Sequence, residues 1–149
     1  MSLKVGDKAP EFQGIDQDGN DIRLGDFKGK KVVLYFYPKD NTPGCTAEAC
    51  NLRDNYTELQ KQGYVILGIS SDNEKSHRKF IDKFELPFSL IADADKKIHE
   101  QFGTWVEKSM YGRKYMGTAR VTFVIDENGV ISEMIEKVKT KDHAAQILG

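Results

Sequence analysis

Only two cysteines, Cys45 and Cys50, occur in 149 residues. A pair five positions apart can close one small loop and cannot staple a domain, so a disulfide scaffold is excluded as the source of the fold. No stretch approaches the roughly 18 apolar residues of a membrane span, and the opening segment MSLKVGDKAPEF lacks the apolar core of a signal peptide. Neither sign of charge is in excess. With 22 Lys and Arg against 23 Asp and Glu, the net charge is -1, which leaves no electrostatic case for nucleic acid or an anionic membrane as main partner. The three histidines, His77, His99 and His143, sit far from both cysteines at no ligand-like spacing, so no metal site is expected. What remains is a cytoplasmic protein acting on a small molecule or another protein. In a reducing compartment its cysteine pair is more often reactive than structural.

The composition is that of a folded domain: 39% hydrophobic and 30% charged residues, with eight Phe, six Tyr and Trp105 as core material. Residues 1–149 read as one domain. Phe12 to Ile15 and Ile22 to Leu24 flank the turn signal Asp18, Gly19, Asn20 and predict an N-terminal hairpin. Lys31 to Tyr37 is a continuous β-branched and aromatic run, the pattern of a central strand buried on both faces, stopped by Pro38. From Cys45 to Gly63, apolar residues at Ala49, Leu52, Tyr56 and Leu59 predict an amphipathic helix. Val65 to Ile69 reads as a second buried strand, Ser76 to Phe84 as a helix, Phe88 to Ile91 as a third strand and Asp95 to Phe102 as a helix. Val121 to Ile125 and Val130 to Val138 form a hairpin about Glu127, Asn128 and Gly129, and a last helix starts near Asp142. A parallel βαβ unit, an antiparallel hairpin and flanking helices describe an α/β, thioredoxin-like fold: a mixed central sheet with an extra N-terminal β-hairpin. His77 and His99 read as helix-surface residues. Asp93, Asp95, Lys137, Lys139 and Lys141 read as solvated surface.

The stretch Pro38 to Cys50, PKDNTPGCTAEAC, joins a strand end, a turn, a thiol and a helix start. Pro43 and Gly44 suit a tight reversal, and the Thr42 hydroxyl can reach a thiol three residues on. Cys45 falls in the first helical turn, where unpaired N–H groups and the positive end of the helix dipole stabilise an anion. The thiolate is the nucleophilic form of cysteine. Three duties remain open to it: attack on a disulfide, attack on a peroxide, or metal ligation. In a regular helix, residues five apart lie about 8.6 Å apart at Cα, beyond the roughly 7 Å reach of a disulfide. Any bond between Cys45 and Cys50 therefore requires the helix to unwind locally. Read alone, Arg120 at a strand entrance is a surface charge; Cys50 sits where helix core is ordinary, but reads as the thiol that resolves an oxidised Cys45 after that unwinding.

Pro38, Thr42 and Cys45, spaced P-x-x-x-T-x-x-C, resemble the active-site signature of the peroxiredoxins. The string TPGCTAEAC is similar to their bacterioferritin comigratory protein, or peroxiredoxin Q, branch. Further likeness lies in Gly6 to Phe12 and in Arg120 to Asp126. The resemblance implies an enzyme that reduces hydrogen peroxide and organic hydroperoxides without a cofactor, with Cys45 as peroxidatic and Cys50 as resolving cysteine, and with thioredoxin as reductant. It further implies that Thr42 and Arg120 bind thiolate and peroxide, that Pro38 shields the pocket, and that Glu48 orients the arginine. A cysteine pair within one chain makes a monomer the expected state. The rivals are a thioredoxin-like disulfide oxidoreductase, against which the missing C-x-x-C counts, and a non-enzymatic redox sensor or holdase. The short last segment, His143 to Leu148, is expected to lie away from the thiol.

Overall fold

The computed structural model describes residues 3–149. Its centre is the run Lys31–Phe36, strand β3, whose residues from Val32 onward are all buried, as a strand covered on both faces must be. To one side lie two parallel partners, β4 (Tyr64–Ser70) and β5 (Ser89–Ala92). Beyond them lies the N-terminal hairpin of β1 (Gln13–Ile15) and β2 (Asp21–Arg23), which joins the sheet antiparallel through Ile15 opposite Ala92. To the other side are β8 (Val121–Ile125) and β9 (Ile131–Ile135), both antiparallel. The strand order is β2-β1-β5-β4-β3-β8-β9, the mixed sheet that the strand pattern predicts.

Two cores flank the sheet. Against one face pack α1 (Pro43–Asp54), α2 (Tyr56–Lys61), α3 (Glu74–Phe84) and α5 (His143–Leu148), with Cys45, Ala49, Leu52, Leu59, Phe80 and Ile147 among the buried residues. The other face carries Phe12, Leu24, Phe36 and Phe123 under α4 (Lys97–Phe102).

The helix expected over Cys45–Gly63 is interrupted at Asn55. Its side-chain amide donates to the Asn51 carbonyl at 2.8 Å, competing with the helix ladder for that acceptor. The last strand stops at Ile135 rather than Val138, because Ile135 pairs with Thr122, next to the start of β8. A hairpin of β6 (Trp105–Met110) and β7 (Arg113–Thr118) was not expected at all. Most of its residues are exposed, so it carries no hydrophobic alternation for a sequence reading to detect.

His77 and His99 correct the surface assignment: both are fully buried. His77 shares the helix face of Phe80, Ile81 and Phe84, and its ring nitrogens meet Asp40 Oδ2 at 2.7 Å and the Ile91 carbonyl at 2.9 Å. His99 meets Asp93 Oδ2 at 2.6 Å and Thr118 Oγ1 at 2.8 Å. Asp93 is therefore buried as well. Burial alone works against its charge, but hydrogen bonds from His99 and from the backbone of His99 and Ile98 hold its pKa below the ordinary value.

Candidate active site

The chain leaves β3 at Phe36 and reaches α1 through a short turn in which Asn41 adopts a left-handed conformation, φ 58°. The reversal thus falls ahead of Pro43 and Gly44, which instead form the first helical turn, where proline's fixed φ is already helical. Thr42 is the N-cap residue, but its hydroxyl donates to the Lys39 carbonyl at 2.8 Å and not to the sulfur. With its only proton engaged, Thr42 Oγ1 faces any further ligand as an acceptor. Pro38 is half-buried at the strand exit.

Cys45 is the third residue of α1 and is 1% exposed. Among the described residues its backbone N–H has no acceptor, as expected of a first-turn amide. Arg120, at the entrance to β8, reaches across to it. Nη2 donates to Cys45 Sγ at 3.4 Å while Nη1 donates to Glu48 Oε1 at 2.7 Å. The flat guanidinium thereby bridges sulfur and carboxylate, a geometry that a lysine cannot reproduce. Burial works against the charge of Arg120, yet Cys45 and Glu48 together hold its pKa above the ordinary value. Gly44 leaves room beside it: a Cβ there would stand 3.2 Å from Arg120 Nη2, tighter than ordinary contact.

Glu48 lies one turn beyond Cys45 and is fully buried. Burial pushes its pKa up to about 7, although Arg120 pulls the other way. Its second oxygen, Oε2, and the Tyr35 hydroxyl are the buried side-chain polar atoms without a hydrogen-bond partner among the described residues. Tyr35 stands on β3 beneath α1, and burial, then Glu48 and Cys45, raises its pKa well above normal. Its ring has room because Gly68 occupies the neighbouring register position on β4; a Cβ there would come within 2.9 Å of the hydroxyl.

Cys50 follows on the same unbroken helix, half-buried, and both thiols are free. The helix between them has to open before the sulfurs can meet, as the spacing requires.

The structure thus brings together Cys45, Arg120 and Glu48, places Thr42 and Pro38 at the preceding turn, and keeps Cys50 apart. Two further residues escaped the sequence reading. Lys108, on the unexpected hairpin, has its pKa lowered by burial and by Arg120, and raised in part by Cys45, so it belongs to the same electrostatic neighbourhood. His143, on the last helix, lies 3.5 Å from Glu48 Oε2, which corrects the expectation that this helix stands clear of the site. Lys108 carries no sequence signal; His143 shares the inward face of α5 with Ala144 and Ile147.

Such an arrangement aims a guanidinium donor at the sulfur, where it can meet negative charge that develops on an atom leaving it. The AhpC/TSA family model matches residues 5–134. A putative peroxiredoxin bcp of Coxiella burnetii is 52% identical over 149 residues, covering 100% of this chain and 99% of that protein. Peroxiredoxin Bcp of Bacillus subtilis is 45% identical over 148 residues, covering 99% and 94%. A solved structure of Xanthomonas campestris bacterioferritin comigratory protein, described for its alkyl peroxide reduction activity, superimposes with a TM-score of 0.86 at 36% identity over 92% of this chain and 87% of that one.

Proposed function

The chain belongs to the AhpC/TSA family, and from that footing we propose that it is a thiol peroxidase that reduces hydrogen peroxide and organic hydroperoxides at Cys45. The single observation that carries the reading is the Arg120 fork, one nitrogen on the sulfur and the other on Glu48.

On this reading the Cys45 thiolate attacks the nearer peroxide oxygen along the O–O axis. The S–O bond forms as the O–O bond breaks, the electron pair leaves on the distal oxygen, and a proton from solvent completes water or an alcohol. Sulfur is oxidised to sulfenic acid and the peroxide is reduced. Negative charge passes from sulfur to departing oxygen, so donors fixed in advance lower the barrier: the free Cys45 N–H and the Arg120 guanidinium. Thr42 Oγ1, facing the site as an acceptor, takes the peroxide O–H and aligns the bond. Pro38 keeps bulk water from the turn. Glu48 holds the guanidinium plane.

The first turns of α1 then unwind, and the Cys50 thiolate attacks the Cys45 sulfenic sulfur, expelling hydroxide that is protonated to water and leaving a Cys45–Cys50 disulfide. Thioredoxin returns it to two thiols by exchange. The protein works in the cytoplasm as a monomer, since both cysteines come from one chain.

Peroxide-treated protein analysed by peptide mass spectrometry is expected to carry the Cys45–Cys50 bond. Cys50→Ser is expected to stop at sulfenic acid, and Cys45→Ser to consume no peroxide. Peroxide turnover undiminished in Cys45→Ser contradicts the reading.

A further inference from the structure

The turn that presents Cys45 is gripped from a side that the peroxide chemistry does not touch. Asp40 lies in that turn, ahead of α1, and is buried. Both its carboxylate oxygens and its N–H are engaged. The Tyr37 hydroxyl donates to Oδ1 at 2.6 Å, and Ser76 Oγ donates to Oδ2 at 2.8 Å. The Asp40 N–H donates to Asp72 Oδ2 at 2.8 Å, an oxygen that Ser70 Oγ also reaches at 2.7 Å. These partners come from the exit of β3, from the connection between β4 and α3, and from α3 itself, so one residue ties the turn to three parts of the frame.

His77 is the strongest of the anchors. Its Nε2 meets the Ile91 carbonyl at 2.9 Å, an oxygen that can only accept, so Nε2 carries a hydrogen. Its Nδ1 stands 2.7 Å from Asp40 Oδ2, too close for two bare acceptors, so a second hydrogen lies between them. The contact is a charge-assisted hydrogen bond in a buried site, and Ile91 fixes its far end on β5. Next to Asp40, Asn41 keeps a left-handed φ of 58°, a conformation that persists where the surroundings over-determine it. Asp40 supplies that constraint on one side. On the other, Thr42 is tied back to the Lys39 carbonyl. Directly beyond Thr42 begins the helix that has to open before Cys45 can meet Cys50.

We infer that Asp40 is a positioning residue of the thiol site: held by His77 and Ser76, it keeps the Pro38–Thr42 turn and the start of α1 in the closed arrangement that meets peroxide, and it opposes the unwinding that admits Cys50. Among the described residues no hydrogen bond joins Asp40, Ser76 or His77 to Cys45 or Arg120, so the effect passes through the turn. Its kinetic meaning rests on the thiol-peroxidase reading, whereas the grip itself belongs to the resting dithiol protein. Loosening the grip raises the population of the opened form. Attack on peroxide uses the closed majority and changes little, while disulfide formation uses the opened minority and speeds up in proportion.

The test compares the full-length protein with Ser76→Ala, which removes one donor without leaving a buried charge unpaired, and with Asp40→Asn. Hydrogen exchange at the amides of Thr46 to Ala49 in the reduced protein is expected to quicken about tenfold in Ser76→Ala, the scale of one hydrogen bond to a charged group. Conversion of the Cys45 sulfenic acid to the disulfide, followed by rapid quench and mass spectrometry, is expected to accelerate by a similar factor. The preceding peroxide step changes by less than about twofold. Ser76→Thr keeps the hydroxyl and is expected to match the unaltered protein in all three. A residue that only stabilised the fold would give no such gain in the second step. Unchanged exchange in Ser76→Ala overturns the proposal, as does disulfide formation no faster than in the unaltered protein; Asp40→Asn, where it folds, is held to the same two criteria. Failure of Cys45 to react with peroxide, with the exchange result intact, would count against the peroxidase reading alone.

Discussion

Arg120 shows how little a residue's chemistry depends on its place in the sequence. It lies 75 positions from Cys45 and reads alone as a surface charge, yet it ends 3.4 Å from the sulfur because β8 pairs with β3, the strand that delivers Cys45. Arg120→Lys keeps the charge and loses the fork. The second-order rate with hydrogen peroxide is expected to fall by about 10²-fold, the scale seen when one preorganised donor is removed. A rate within twofold of the unaltered protein contradicts the bridging role. The placement of Cys45 was legible, since a thiol at a helix start has a local meaning. Thr42 was legible as an N-cap but not in the direction of its hydroxyl, and the burial of His77 was available in its spacing to Phe80 and Phe84.

At the scale of elements, α1 and α5 share a fastener beside Cys50. Asn51 Oδ1 accepts from the Ala144 N–H at 2.8 Å and its Nδ2 donates to the Lys141 carbonyl at 3.0 Å. Unwinding α1 far enough to join Cys45 to Cys50 pulls on the residue that caps α5. Hydrogen exchange at the amides of α5 is therefore expected to speed up in the disulfide form relative to the dithiol form, and Asn51→Ala is expected to do the same without oxidation. Equal protection of α5 in both redox states contradicts the coupling. Asn51→Ala also removes two hydrogen bonds, a cost of about 1–2 kcal/mol in denaturant unfolding. The central strands were readable because burial on both faces forces continuous apolar runs. The hairpin β6–β7 was not, because most of its residues stay exposed and its register rests on backbone pairing.

For the molecule as a whole, the buried carboxyl sets a pH dependence of stability. The folded pKa of Glu48, about 7, lies above its ordinary value of 4.5, so the native state binds more protons than the unfolded chain between the two. Native stability from this group is complete below 4.5 and declines as pH rises to about 7. The full span is worth roughly 3 kcal/mol. Glu48→Gln does not ionise, so its stability relative to the parent is expected to rise across that window and level off above it; urea unfolding at pH 5 and pH 8 checks this, and an equal difference at both places Glu48 in an unburied state. Asp93 works in the opposite sense. Its pKa is lowered in the fold, so its contribution is present above the ordinary value of 3.8 and lost as acid carries the pH down through the folded value. The α/β sandwich, with helices on both faces of one central sheet, was readable from the alternation of patterns, whereas the convergence of β3, β8, α1 and α5 on one thiol depends on strand order, which no local pattern encodes.

The central claim is that this fold makes Cys45 a peroxide-reactive thiol. Stopped-flow mixing of the reduced protein with hydrogen peroxide and with an alkyl hydroperoxide, followed through the fluorescence of Trp105 or by competition, measures it most directly. The account predicts oxidation of Cys45 by at least one of them several orders of magnitude faster than that of free cysteine; a rate no greater than free cysteine with either peroxide contradicts it.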